Sequence, residues 1–177
     1  MRDLRSLDRG LFWEPVPDFG TAVIRRDGLA VHAVSGLGQV LVSGDLAAAA
    51  AALAPEAPMA GLWGIADTPT FFLRMARDRA LLVSPRPLAL LPGWRPEGFA
   101  ASPADDAFTV LEIAGADLAM VVAEATGADL SAGSPSAAIR FGSVDALLCR
   151  SAPDIARLHV ERAFAPYLWR WLETRVV

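Results

Sequence analysis

Two residue types are missing from this sequence of 177 residues: it contains no lysine and no asparagine. Without lysine the chain can neither form a Schiff base with a carbonyl substrate nor supply the phosphate-binding lysine of a Walker A loop. Without asparagine it has no acceptor for N-linked sugars. Enzymes that work through a lysine Schiff base and nucleotide hydrolases of the P-loop class are therefore excluded.

Cysteine and positive charge are scarce. Cys149 is the single cysteine, which excludes an internal disulfide and a multi-cysteine metal site and indicates a reducing, cytoplasmic setting. The net charge is -4, and the arginines are scattered rather than gathered into the basic stripe that nucleic-acid binding requires. We therefore expect no nucleic-acid partner.

Long apolar runs are absent too, although the composition is strongly apolar. No run reaches the roughly 18 residues of a membrane-spanning helix, and the opening MRDLRSLDRG lacks the apolar core of a signal peptide. We expect no membrane partner. Yet 54% of the residues are hydrophobic, and the mean hydropathy is +0.37. This excess predicts either a large core or a surface that a partner chain covers.

Two stretches of the sequence resemble each other. In residues 38–58 and again in residues 108–130, an alternating apolar run ends near a glycine, and Asp-Leu and an apolar run of helical length follow. Asp45 and Asp117 stand where a helix N-cap belongs, because a carboxylate there accepts backbone N–H groups and faces the positive end of the helix dipole. Each stretch is therefore predicted to form a strand and a capped helix.

A second pair of similar stretches follows downstream. Residues 71–94 and residues 146–172 each contain a strand-like run, a short polar turn, a second strand and an apolar helical segment with proline and tryptophan. Together the two pairs predict a strand–helix–strand–strand–helix unit that is used twice. Residues 36–94 and 108–172 are expected to superpose as its two copies.

The predicted domain organisation follows from this duplication. Residues 1–177 form a single domain, with a first pseudo-repeat over 21–95 and a second over 107–175. The stretch SPADD at 102–106 lies between them and is typical of a connection. Residues 1–20 contain two prolines and show no period, so they are expected to form an extended N-terminal arm.

The fold class is predicted to be α+β. Ahead of the first copy, TAVIRRDGLAVHAV has apolar alternation on both sides of Asp27–Gly28, which is typical of a β-hairpin with a tight turn. With the strand pairs inside each copy, this indicates antiparallel sheets flanked by helices.

Few side chains suit catalysis or metal binding. His32 and His159 fall in strand-like runs and share no ligand spacing with Cys149, so a zinc site is not expected. Cys149 itself lies in a strand-like run and is predicted to be a buried, inert thiol. Asp105 and Asp106 belong to a Ser/Pro-rich connection and are predicted to be solvated loop charges. No catalytic, cofactor-binding or metal-binding residue is predicted.

The C-terminal stretch HVERAFAPYLWRWLETRVV is crowded with aromatic residues. On a helix with Pro166 in its first turn, one apolar arc of core type is formed by Phe164, Tyr167, Leu168, Trp171 and Leu172. Trp169 widens that arc beyond what one core contact needs. We therefore expect Phe164 and Trp171 to pack inward and Trp169 to lie at the rim.

An exposed tryptophan at that rim would suit a subunit interface, where aromatic residues are enriched. Trp169 is therefore one candidate interface residue, and Leu11, Phe12 and Trp13 of the N-terminal arm form a second candidate patch. The alternative is that the arm folds back and covers Trp169.

Three stretches carry a resemblance to a known family. GQVLVSGDLAA, DRALLVSP and HVERAFAPYLWRWLE resemble the gamma subunit of heterotetrameric sarcosine oxidase, which is itself similar to the folate-binding module of glycine-cleavage aminomethyltransferases. The resemblance runs from about Gly36 to the end of the chain and is most specific over residues 151–173.

The resemblance implies a duplicated α+β fold of the aminomethyltransferase folate-binding type. It also implies an accessory, non-catalytic subunit of a complex that demethylates sarcosine oxidatively to glycine, or of a related N-methyl amino acid oxidase or dehydrogenase. Its partners would be the alpha, beta and delta subunits. FAD, FMN, NAD and tetrahydrofolate would lie on those other subunits, and this chain alone would bind none. The alternative is a self-standing, aminomethyltransferase-like protein that binds folate or another one-carbon carrier.

Overall fold

The computed structural model describes residues 15–175 of the chain. These residues form two six-stranded sheets and three α-helices. The strands are β1 Val23–Arg26, β2 Leu29–Val34, β3 Gly38–Gly44, β4 Met59–Ala60, β5 Phe71–Ala76, β6 Arg79–Ser84, β7 Gly93–Arg95, β8 Phe99–Pro103, β9 Phe108–Ala114, β10 Ala138–Phe141, β11 Val144–Ala152 and β12 Ile155–Glu161. The helices are α1 Leu46–Leu53, α2 Leu118–Ala125 and α3 Ala165–Arg175, with a 3-10 turn at Arg162–Phe164 before α3.

The two sheets pack face to face and carry the helices on their outer sides. Because side chains alternate along a strand, Leu148 joins the core cluster under α2 and α3 while its neighbours Leu147 and Cys149 point between the sheets. There they meet Phe71 and Leu81 of the opposite sheet. A third cluster lies between that sheet and α1. The predicted α+β class with helix-flanked sheets is consistent with this arrangement.

The strands of the two sheets follow equivalent orders when each half of the chain is matched with the other. The first sheet runs β1-β2-β9-β12-β11-β10, and the second runs β7-β8-β3-β6-β5-β4. The β1–β2 hairpin precedes β3 in the chain but pairs with β9, and the β7–β8 hairpin precedes β9 but pairs with β3. Each half of the chain therefore gives its hairpin to the sheet of the other half.

A matching irregularity supports this correspondence. The β5–β6 register shifts between Arg74 and Ala76, and the β11–β12 register shifts between Arg150 and Ala152, in both cases just before the turn. The proposed bounds of the pseudo-repeats stay a prediction. The strand order favours a start of the second copy before β7 rather than at residue 107.

The turn of each exchanged hairpin is hydrogen-bonded to the aspartate that precedes a helix. The backbone N–H of Asp45 donates to Gly98 O at 3.0 Å, and that of Asp117 donates to Gly28 O at 3.1 Å. Gly98 and Gly28 lie in the turns of the hairpins that come from the other half. The two aspartates therefore hold equivalent positions in the fold.

The side chains of Asp45 and Asp117 have different contacts, however. Asp45 caps α1 as predicted, because its Oδ1 accepts the backbone N–H groups of Ala47 at 2.9 Å and Ala48 at 3.0 Å. Asp117 is the N-cap residue of α2 by position, as predicted, but its carboxylate makes no cap bond to the helix, so the predicted side-chain contact is wrong there. Its carboxylate lies against Gly28 instead, because one extra residue separates it from the preceding glycine.

The segments that follow the first two helices also cross between the sheets. The N–H of Ala66 donates to Arg150 O at 2.7 Å, and the N–H of Ala137 donates to Arg74 O at 2.6 Å. Each segment thus hydrogen-bonds to a strand of the opposite sheet, the first to β11 and the second to β5. The two contacts lie at equivalent positions in the two halves.

Three details of the predicted fold are wrong. Residues 85–92 form no helix, because Pro85, Pro87 and Pro92 remove backbone donors and disfavour helical geometry in the residue before each. The SPADD stretch is not purely a connection, since its first residues, Ser102 and Pro103, end β8. The short β4 pairs with β5 in parallel rather than antiparallel.

Candidate functional site

Trp169 lies in the second turn of α3 and is buried, with 2% of its surface exposed. Phe19 of the N-terminal arm packs edge-on against its ring, with 5.7 Å between centroids. The indole N–H donates to Glu173 Oε1 at 2.9 Å. The predicted position of Trp169 at the exposed rim is therefore wrong, because the arm folds back and covers it.

The outward-facing aromatic residues of this region are Phe164 and Tyr167. The predicted inward packing of Phe164 is wrong: its side chain is 46% exposed, because it belongs to the 3-10 turn and leaves the helical arc. Tyr167 is 49% exposed, and its hydroxyl donates to Gly142 O at 2.9 Å. Trp171 packs inward on Phe141 as expected, with 5.8 Å between ring centroids. Tyr167, which belongs to the predicted core arc of the helix, is thus partly exposed and can contact another molecule.

An apolar groove of about 620 Å³ runs between α3 and the segment that leads into β1. Exposed Val16 and Val23 form one wall and Tyr167 forms the other, while Trp169 closes the floor. Pro166 lies in the first turn of α3, which suits proline, and also lines the groove. Sequence reasoning missed Val16, since an isolated valine in an extended segment carries no periodic signal. It assigned Val23 to the apolar alternation of the β1–β2 hairpin rather than to an exposed groove.

An acidic cavity of about 600 Å³ adjoins one end of the apolar groove. Val16 and Pro166 line both hollows, so the two are continuous. Three carboxylates line the acidic cavity, those of Asp18, Asp105 and Asp106.

These carboxylates are held by different partners. Asp105 accepts the backbone N–H of Gln39 at 2.6 Å, so it is more than the solvated loop charge that its sequence context predicts. Asp106 pairs with Arg162 at 3.1 Å and is exposed, as predicted. Asp18 accepts the backbone N–H of Gly20 at 3.0 Å and shapes the turn of the arm.

A basic cavity of about 500 Å³ adjoins the opposite end of the groove. Arg25, Arg26 and Arg170 line it together with Glu173, and Val23, Arg170 and Glu173 also line the groove. Arg170 Nη1 donates to Glu173 Oε2 at 2.9 Å, which holds the pKa of Glu173 below its usual value. We refer to the groove with the acidic and basic cavities at its two ends as the α3 trough.

Gln39 and His159 form a buried polar pair behind the acidic cavity. Gln39 Nε2 donates to Phe108 O at 3.2 Å, so its Oε1 faces the ring and accepts from His159 Nδ1 at 3.0 Å. His159 Nε2 has no hydrogen-bond partner among the described residues. Burial, and secondly the nearby charge of Arg157, lower the pKa of His159 to about 3. The ring is therefore neutral and joins the two sheets.

Cys149 is buried between the sheets, as predicted. Burial raises the pKa of its thiol to about 12, and the S–H group points at Arg157 O, 3.9 Å away. Because the thiolate is the nucleophilic form, this side chain is poorly suited to covalent catalysis.

The arm patch, metal binding and membrane insertion are separate questions from the α3 trough. Leu11, Phe12 and Trp13 fall outside the described residues. Within residues 15–175, no group of three or more histidine, cysteine, aspartate or glutamate side chains is arranged to hold a metal ion. None of the helices in the same range has the length and apolarity needed to cross a membrane.

The fold has a known counterpart. The chain is similar in structure to a chain of the heterotetrameric sarcosine oxidase from Corynebacterium sp. U-96, solved in complex with pyrrole 2-carboxylate. The TM-score is 0.67 at 22% sequence identity, and the match covers 86% of this chain and 85% of that one. No family model matches the sequence, and no curated protein does. The chain therefore has the fold of that sarcosine oxidase chain.

Proposed function

We propose that this protein is the accessory, non-catalytic gamma subunit of a heterotetrameric sarcosine oxidase, or of a closely related N-methyl amino acid oxidase or dehydrogenase. The observation that carries the proposal is the fold likeness to a chain of such a complex over almost the whole length of both chains. Because the two coverages are nearly equal, the likeness is between chains of similar length, and it is not confined to one domain of a much larger subunit.

The resemblance in sequence supports the same assignment. HVERAFAPYLWRWLE supplies the end of β12, the 3-10 turn and α3, and GQVLVSGDLAA supplies β3 and the capped start of α1. The stretches that resemble the gamma subunit thus form adjoining parts of the two sheets and their helices. They correspond to whole strands and helices of the fold rather than to isolated short matches.

The chemistry of the reactive side chains supports an accessory role. The thiol of Cys149 and the ring of His159 are buried, and their shifted pKa values keep both groups neutral near pH 7. Oxidative demethylation would then proceed on the alpha, beta and delta subunits, which would hold FAD, FMN, NAD and tetrahydrofolate. This chain would contribute to the assembly of the complex.

The experiment compares the chain alone with the chain in its complex. Purified alone, it should show no visible flavin absorbance and no turnover of sarcosine. Co-expressed with the other three subunits from the same organism, it should enter a complex that oxidises sarcosine. A yellow isolated chain with stoichiometric flavin would contradict the non-catalytic role. Tight binding of tetrahydrofolate by the isolated chain, without assembly, would favour the self-standing one-carbon carrier protein instead.

A further inference from the structure

We propose that the α3 trough is the docking site for a segment of a partner subunit that has an apolar centre, basic side chains at one end and acidic side chains at the other. The proposal rests on the proposed function, since it assumes that the chain works inside a complex. It adds to that function the surface that is used and the chemistry of the segment that fills it.

The centre of the trough needs an apolar occupant. Val16 is 67% exposed and Val23 is 46% exposed, and Tyr167 faces them across the groove. Apolar surface that is gathered into one concave site marks binding surfaces more often than apolar residues scattered singly. Trp169 lies beneath these residues as a rigid floor, since Phe19 and Glu173 hold its ring.

The acidic end of the trough carries net negative charge. Asp18, Asp105 and Asp106 provide three carboxylates, and Arg162 provides one cation, which pairs with Asp106. Asp18 and Asp105 have only backbone or hydroxyl donors as hydrogen-bond partners among the described residues. This end therefore favours basic side chains on the partner.

The opposite end carries net positive charge. Among the described residues that line this cavity, Arg25, Arg26 and Arg170 stand beside one carboxylate, that of Glu173. Arg26 donates to the backbone carbonyl of Glu173 at 2.7 Å, and no hydrogen bond or ion pair joins the side chain of Arg25 to another described residue. This end therefore favours acidic side chains on the partner. The two charged ends define one direction for the bound segment, which is how complementary charge fixes register in interfaces.

The shape of the trough argues against a second copy of this chain as the occupant. A two-fold dimer would place trough against trough, and two concave surfaces leave an unfilled space between them. A protruding segment of another subunit fills the groove and meets both charged ends.

The test measures assembly of the co-expressed complex with single variants of this chain. Val16→Arg puts a charge in the apolar centre, and Arg25→Glu reverses the charge of the basic end. Each should weaken binding of this chain to the other three subunits by about tenfold or more. The matched controls, Trp94→Arg and Arg77→Glu, change exposed residues of the other sheet, in its edge strand β7 and in the turn between β5 and β6, and should alter binding less than about twofold. All four variants should melt close to the wild-type temperature, since the substituted side chains are exposed.

The outcomes separate this proposal from the proposed function. If the wild-type chain assembles and both trough variants assemble equally well, the trough is not the docking site, and the proposed function stands. If the wild-type chain does not assemble at all, the proposed function fails. If the isolated chain is a dimer that Val16→Arg dissociates, the occupant is a second copy, and the partner-segment assignment is overturned.

The chain's own N-terminal residues are the remaining candidate occupant. In that case Val16→Arg would destabilise the isolated full-length chain but would not destabilise a chain that lacks residues 1–14. That result would also overturn the assignment. Equal stability effects in both chains, together with lost assembly, would support the partner segment.

Discussion

At the scale of single residues, Trp169 and Phe164 hold the opposite of their predicted positions. Trp169 is enclosed by the core and by Phe19, so we expect Trp169→Ala to destabilise the isolated chain by about 3–5 kcal/mol. Phe164→Ala is the matched control and should change the free energy of unfolding by less than roughly 1 kcal/mol, because its ring is half exposed. Urea denaturation followed by circular dichroism measures both. A Trp169→Ala variant as stable as the wild type would show that this side chain does not belong to the core.

His159 should make stability depend on pH. Its folded pKa of about 3 lies below the unfolded value of 6.5, so below pH 6.5 the unfolded chain binds a proton that the folded chain does not. Stability is therefore fully present above pH 6.5 and is lost as the pH falls towards 3. From this residue alone we expect a loss of about 2 kcal/mol between pH 7 and pH 5.

A His159→Leu variant provides the comparison for this effect. It lowers stability at pH 7, since Gln39 Oε1 loses its donor, but it should flatten the dependence between pH 7 and pH 5. Denaturation at several pH values gives both curves. Parallel curves for the variant and the wild type would assign the pH dependence to other groups.

At the scale of elements, Gly44 at the end of β3 and Gly115 directly after β9 allow the exchanged hairpins to lie close to the helix starts. Gly115 has φ 133° and its Cα lies against the carbonyl of Gly28, so an added Cβ would meet that oxygen. We expect Gly115→Ala to cost about 2–4 kcal/mol through backbone strain and the clash. Gly127→Ala is the matched control, because nothing lies within 4 Å of its Cβ position and its φ is not positive. A thermal melt in which both variants match the wild type would contradict this account.

The local elements follow from local chemistry, which is why the sequence predicts them well. Asp45 followed by a run of alanines predicts a capped helix, and α1 begins directly after it. Asp27–Gly28 predicts a tight turn, and β1 and β2 pair on either side of it. In both cases the residues that decide the structure lie within a few positions of one another.

Elements that depend on distant contacts were predicted poorly. Proline and tryptophan at the end of both repeats suggested a helix in each, but only α3 forms, because its one proline lies in the first turn. Likewise the covering of Trp169 depends on Phe19, which lies 150 positions earlier in the sequence. The α3 trough could not be predicted for the same reason, since its walls come from the arm, β1 and α3.

At the scale of the whole molecule, the exchange of hairpins makes each half of the chain incomplete. Residues 1–92 contain the β1–β2 hairpin, whose β2 pairs with β9 of the other half, and they lack the β7–β8 hairpin, whose β8 pairs with β3. Periodicity within the sequence reveals two similar units but not this exchange, because sequence patterns do not specify which distant strand a hairpin joins.

We therefore expect neither half to fold alone. Residues 1–92 and residues 93–177 expressed separately should give no cooperative thermal transition, because each would expose the core face of an incomplete sheet. Co-expressed, the two fragments should associate into one folded complex with the far-ultraviolet circular dichroism of the intact chain. Cooperative folding of either fragment by itself would contradict the interdependence of the halves.

We propose that this chain works as an accessory subunit of an N-methyl amino acid oxidising complex. The most direct measurement is affinity purification of this chain after co-expression with the alpha, beta and delta subunits, followed by determination of the mass of the complex by light scattering. We predict recovery of all four chains in equal amounts, with sarcosine oxidation in the purified complex. Recovery of this chain alone, while the other three subunits form an active enzyme without it, would contradict the account.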